Sequence, residues 1–187
     1  YQIDDQWSVL AGVHRGFSPL GGSAKSAEKP ETSINYEMGV RYDGTWFAEV
    51  VGFYSDFSNK AESCSNSQPC SNGAVGGTFV TGEAVIAGVE LQLGHVFQTA
   101  DIAWPVSLAY TYSQAEASRD DSQSGVLEGD ELASVPGNTM SLRMGAQVGA
   151  RWDSYAVVKY TDSMCVNVSC NRDDSRFAET ERFVVID

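Results

Sequence analysis

The sequence predicts an all-β fold: antiparallel up-and-down strands, about eight of them, of a transmembrane β-barrel. Three observations predict it. Period-two alternation of apolar and polar residues recurs along the chain, with no convincing helix. The connections alternate strictly between long and short. Aromatic residues gather near the strand ends.

The strands follow in order. Trp7, Val9, Ala11 and Val13 share a face opposite Ser8, Gly12 and His14. Ile34, Tyr36, Met38, Val40 and Tyr42 oppose Ser33, Asn35, Glu37, Gly39 and Arg41. From Trp46 to Phe57 both sides are more apolar; Trp46, Ala48, Val50 and Tyr54 fall on one side and Glu49 on the other. Val85, Ala87, Val89, Leu91 and Leu93 oppose Gly88, Glu90, Gln92 and Gly94. Val106, Leu108, Tyr110 and Tyr112 oppose Ser107, Ala109, Thr111 and Ser113. Met140 to Val148 alternates without a slip, Met140, Leu142, Met144, Ala146 and Val148 against Ser141, Arg143, Gly145 and Gln147. Tyr155 to Tyr160 and Phe183 to Ile186 are shorter strands. All five Pro fall between strands or at a strand start, where a missing N–H does no harm.

Alternation alone fits two surroundings. The greasy faces could meet a second sheet in a soluble sandwich, or they could meet lipid. The connections decide for lipid. Asp43-Gly44, Gln98 to Trp104 and Gly149 to Asp153 are short. Gly16 to Thr32, Ser58 to Gly77, Ser118 to Thr139 and Met164 to Ala178 are long. In an up-and-down sheet alternate connections share an end, so every long loop lies at one end and every short turn at the other. Outer-membrane barrels sort their loops this way, with the long ones outside the cell. Trp7, Trp46, Trp104 and Trp152 sit near strand ends on the short-turn side, as an interfacial girdle requires.

Bulk composition agrees with a folded chain and narrows the partners. The hydrophobic fraction is 42% and the mean hydropathy −0.22. No apolar run is long enough for a membrane helix, which a barrel does not need. The net charge of −13 repels phosphates, so no nucleic acid is expected. The four Cys form two close pairs, Cys64 with Cys70 and Cys165 with Cys170, both in long polar loops. The only His, His14 and His95, lie far from them, which favours two short disulfides over a metal site and places these loops in an oxidising compartment. No metal and no cofactor are expected. Nucleophile elbows, His-Glu-x-x-His and phosphate-binding Gly loops are all missing, so the sequence does not read as an enzyme.

An ordered series of segments carries more than pattern. It runs "AGVHRGFSP" (Ala11 to Pro19), "TSINYEMGVRY" (Thr32 to Tyr42), "GFYSDFSN" (Gly52 to Asn59), "AGVELQLG" (Ala87 to Gly94), "LAYTYSQAE" (Leu108 to Glu116) and "EGDELASVPGNTMSLRMG" (Glu128 to Gly145). The series resembles the barrel of TonB-dependent outer-membrane receptors, in the ferric-siderophore and ferric-citrate-type branch, over nearly the whole chain. The resemblance implies a 22-stranded barrel plugged by an N-terminal domain. It implies capture of a ferric chelate at the outer face and import driven by the TonB complex acting through the plug. Residues 1–187 then form a partial segment of a large transmembrane β-barrel, about a third of it, from its C-terminal part, in the bacterial outer membrane. The chain opens near one strand and stops inside another, with no signal segment, plug or final aromatic-ended strand, and reads as a piece of a longer protein. Ala133 and Ser134 stand where relatives often have Pro and an aromatic, which affects local loop shape only.

Candidate ligand contacts at the long-loop end are His14, Arg15, Arg172 and Arg176, because an anionic ferric chelate is attracted by Arg. The acidic run Asp120, Asp121, Glu128, Asp130 and Glu131 reads as a solvated loop. Glu37, Arg41, Glu90, Gln92 and Arg143 are expected to face the lumen and bond one another or the plug. Two rival readings are a self-contained eight-stranded barrel serving as adhesin or anchor, and a secreted soluble β-sandwich that binds sugar or protein.

Overall fold

The computed structural model describes residues 1–19, 29–64, 77–121, 126–149, 151–166, 170 and 178–187. They form one sheet of eight antiparallel strands in strict sequence order: β1 (Trp7–Ser18), β2 (Glu31–Asp43), β3 (Phe47–Cys64), β4 (Gly77–Thr99), β5 (Ile102–Ala117), β6 (Asn138–Val148), β7 (Trp152–Thr161) and β8 (Phe183–Ile186). Several strands outrun their alternating stretches. β3 and β4 enter the region read as a long loop, with a register shift between Phe57 and Lys60. Left-handed Asn59 (φ 57°) and Gly82 (φ 100°) mark that irregularity. Backbone pairing needs no side-chain sorting, so hairpins continue above the height at which their faces stop being apolar and polar.

The short turns fall where the sequence puts them. The Gly44 amide donates to the Trp46 carbonyl at 3.0 Å between β2 and β3. Ala100 (φ 51°) turns β4 into β5, and Gly149 (φ 54°) turns β6 toward β7.

The sheet is a single layer whose apolar face is uncovered. Val13 and Met38 are each 68% exposed, and Tyr36, Val50, Val89, Trp104 and Met144 lie open beside them. In a sandwich these side chains would be the core; here there is no second sheet among the described residues. Self-closure fails too, since the strand order begins at β1 and ends at β8 with no pairing between them. Both rival architectures are thereby corrected: the described residues form neither a sandwich nor a closed eight-stranded barrel.

The buried apolar clusters sit at the long-loop end, and the two largest buried side chains in them come from the connection after β5. These, Val126 and Leu132, cover Ala84, Ala115 and Ala117, with Phe57 and Ile86 alongside. Ala84 shares its face with Glu90, and Ala115 with Ser113, by the period of two. The loop therefore folds over the same face that carries the polar side chains.

Candidate functional site

The polar face is a hollowed wall, built by residues alternating with the apolar ones. Cross-strand register lines up Arg41, Glu49, Gln92, Ala109, Ser141 and Lys159 in one row across six strands. Within it the Arg41 guanidinium meets the Glu49 carboxylate at 2.5 Å and lies 5.9 Å from the Phe47 ring. A concavity of about 590 Å³ gathers His14, Asn35, Glu37, Glu49, Ser55 and Glu90. His14 Nε2 lies 3.8 Å from the Glu37 carboxylate. A second concavity, about 520 Å³, lies toward the short turns and is lined by Asp43, Arg143, Gln147, Asp153 and Tyr155. Arg143 stands 4.4 Å over the Tyr155 ring, and Lys159 meets Asp187 at 2.7 Å.

The wall thus offers an imidazole, carboxylates and Arg41 on β1 to β4, and Arg143, Lys159 and Asp153 on β6 and β7. Such a surface can bind, orient or repel charged groups. It has no nucleophile with an adjacent base, and the five residues expected on it, Glu37, Arg41, Glu90, Gln92 and Arg143, do share it. Glycine lets rings lie on this wall: a Cβ on Gly88 would meet the Phe53 ring at 2.6 Å and collide with the Tyr112 carbonyl.

The four candidate ligand contacts do not come together. His14 lies in the larger concavity beside Glu37. Arg15, the next residue, necessarily takes the opposite face, between Val13 and Phe17 on β1 and opposite Ile34 on β2. Arg172 and Arg176 lie outside the described residues, as does the Cys64–Cys70 pairing. Cys165 and Cys170 are bonded to each other, with Cα atoms 5.5 Å apart. Glu131 brings a carboxylate oxygen to 3.3 Å from the Cys165 sulfur. Those three residues are a set of possible metal ligands, but sulfurs joined in a disulfide offer no thiolate.

The acidic connection is less solvated than its composition suggests. Asp130 is only 2% exposed, and its carboxylate accepts the Leu127 amide at 2.7 Å. Asp120 accepts the Glu128 amide at 2.8 Å. These carboxylates fasten the loop's own backbone, a local role that short acidic side chains fill readily.

Sequence reasoning missed a polar chain at the top of β5 to β7. The Tyr110 hydroxyl donates to Asn138 Oδ1 at 2.6 Å, and Asn138 Nδ2 donates to Asp162 at 2.9 Å. Tyr160 and the Ser163 amide also donate to Asp162, at 3.1 and 3.0 Å. The Asn138 bond, then those from Tyr160 and Ser163, hold the Asp162 carboxyl below the usual carboxylate range. The only trace in the sequence is Asn138 closing "VPGN", which reads as a turn.

One open sheet, greasy outside and polar inside, with its loops sorted by length, defines a piece of an outer-membrane β-barrel wall. The family model described as "TonB dependent receptor-like, beta-barrel" matches residues 1–185, and the chain belongs to that family. It is a family of transport receptors, not enzymes.

Among solved structures, the whole chain aligns with the ferric yersiniabactin uptake receptor FyuA from Yersinia pestis at 20% identity and a TM-score of 0.70, covering 27% of that chain. It aligns over its whole length with the FrpB iron transporter from Neisseria meningitidis at 16% identity and 0.68, covering 30%. With the copper transporter OprC it aligns in full at 16% and 0.69, covering 28%. At these identities the likeness is one of fold. The chain spans less than a third of each of these relatives. No curated protein matches it by sequence.

Proposed function

We propose that this segment is part of the barrel wall of an outer-membrane receptor that imports a ferric siderophore or similar iron chelate, energised through TonB. The observation that carries this reading is the family match over residues 1–185, on a sheet whose apolar face is bare. On this reading the long loops lie outside the cell and the apolar face meets outer-membrane lipid. The polar wall faces a plug domain encoded elsewhere in the protein, through which TonB acts. His14, on the polar wall, and Arg172 and Arg176, in the last long loop, are the proposed chelate contacts; Arg15 faces away from that interior. No bond of the ligand is broken or made. Deleting the intact gene is expected to lower uptake of one ferric chelate under iron starvation. Unchanged uptake of every chelate tested would overturn the iron assignment.

A further inference from the structure

The outward aromatic residues obey a spacing that locates the edges of the lipid phase. On β5 and β7 an outward Trp is followed eight residues later by an outward Tyr: Trp104 and Tyr112, Trp152 and Tyr160. The same interval separates Trp46, just before β3, from Tyr54. Strand register relates the three pairs. Tyr54 is aligned through Ala87 with Gln114, so Tyr112 lies two residues nearer the short turns. Tyr112 is aligned through Asn138 with Asp162, the last step through the bond from the Asp162 amide to the Asn138 carbonyl; Tyr160 again lies two residues nearer. The Trp series steps identically: Trp7 is aligned through Tyr42 with Ala48, two residues beyond Trp46, and His95, stacked on Trp46 at 4.1 Å, pairs with Val106, two beyond Trp104.

A constant step of one residue per strand is a plane cutting tilted strands. With ~3.4 Å along a strand and ~4.8 Å between strands, the tilt is about 35°. Eight residues at that tilt separate the planes by about 22 Å, close to the apolar band of outer-membrane barrels.

Carried back to β1, the rule places Trp7 in the lower plane and the residue eight further on, Arg15, in the upper one, where its neighbours have Tyr. Arg15 is aligned through Ile34 with Asp56, and Tyr54 lies two residues nearer the turns, so the step is kept. Its side chain is exposed between Val13 and exposed Phe17, beside Ile34. Asp56 shares the outward face two strands away, about 10 Å across the sheet. Among the described residues no ion pair holds Arg15, whereas Lys60 has Glu31, Arg119 has Glu83 and Lys159 has Asp187. An outward Arg costs several kcal/mol at mid-depth but only about 0–1 kcal/mol at the interface. There its planar fork can take two oxygens of a phosphate while the stem lies along Val13 and Phe17.

We propose that Arg15 is a binding site for the phosphorylated headgroup of an outer-leaflet lipid. The site rests on the reading of this face as lipid-facing and of the long-loop end as outermost. The test uses the full-length receptor in phosphatidylcholine vesicles containing bisphosphorylated lipid A, with lipid retained after extraction counted by native mass spectrometry. Wild type is expected to retain lipid A three- to tenfold more than Arg15→Gln, with Arg15→Lys between them. Lipid A stripped of its phosphates should be retained equally by both, and millimolar inorganic phosphate should not displace the intact lipid. Equal retention of intact lipid A by wild type and Arg15→Gln overturns the site, as does displacement by free phosphate. Quenching of Trp7, Trp46, Trp104 and Trp152 by brominated lipid, measured in the same vesicles, is expected at one common depth. Its failure would sink the membrane reading itself, separately from the Arg15 result.

Discussion

The two faces of this sheet are made by the same eight strands, one residue apart, and they follow opposite rules. On the outward face, side chains from Ala11 through Leu91 to Val158 are apolar and need no partner, and polar groups begin only near the rims, at Arg15, Asp56, Gln114 and Asp162. On the polar face, charges stand in the middle of the wall and come with company: Arg41 with Glu49, Arg143 with Tyr155, Lys159 with Asp187. On the proposed reading the outward face meets lipid, which offers no hydrogen bonds and so sorts by polarity alone. An enclosed interior would sort by pairing and fit, as where Gly88 leaves room for the Phe53 ring.

The largest break in this contrast comes from placing a charge at mid-depth on each face in turn. Leu108 and Ala109 are neighbours on β5, half-way between Trp104 and Tyr112. Leu108→Arg is expected to lose about 2–4 kcal/mol of folding stability, the cost of a cation in hydrocarbon. Ala109→Arg, pointing at the polar wall beside Gln92 and Ser141, should lose less than half of that. Urea titrations of the full-length receptor in lipid vesicles measure both. Equal losses would mean that the outward face does not meet lipid.

A smaller effect tests fit on the polar face. Gly88→Val would drive a side chain into the Phe53 ring and the Tyr112 carbonyl. Overpacking of this kind costs about 1–3 kcal/mol. Combining it with Phe53→Ala should recover the part due to the ring and leave the part due to the backbone. If the double variant is no more stable than the single one, the ring is not what glycine accommodates.

Legibility in the sequence follows the same division. A sheet with one apolar and one polar face carries a two-state code on alternate residues, so strand number and faces could be read from Met140 to Val148 and its counterparts. Strand ends could not: β3 and β4 keep pairing past Phe57, where no side-chain code remains. The candidate site was legible only as a composition. Parity separates His14 from Arg15, and parity was available in the sequence, but their shared position near "GFSP" drew them together. The joining of Asn138 to Tyr110 and to Asp162 was not legible, because those bonds are set by register between strands, which local sequence does not encode; only the Tyr160–Asp162 bond, two residues apart, is local.

The smallest effect sharpens the rim, where the two rules meet. Asp162 lies just beyond β7, and the bonds from Asn138, Tyr160 and the Ser163 amide depress its pKa. A carboxyl whose folded value lies below its unfolded one stabilises the fold above the unfolded value, and that contribution fades as pH falls through the folded one. At neutral pH, Asp162→Asn should therefore be less stable than wild type. The gap should stay constant down to about pH 5 and then close below the ordinary carboxylate range, since a protonated carboxyl and the substituted amide would then bond alike. Asn138→Ala removes the first of those donors and strands the Tyr110 hydroxyl, for about 1 kcal/mol, and should shrink the pH-dependent part. Urea midpoints for the three proteins between pH 3 and pH 8 make the comparison. A gap between wild type and Asp162→Asn that persists unchanged at the acid end would show that the carboxylate is not held by these donors.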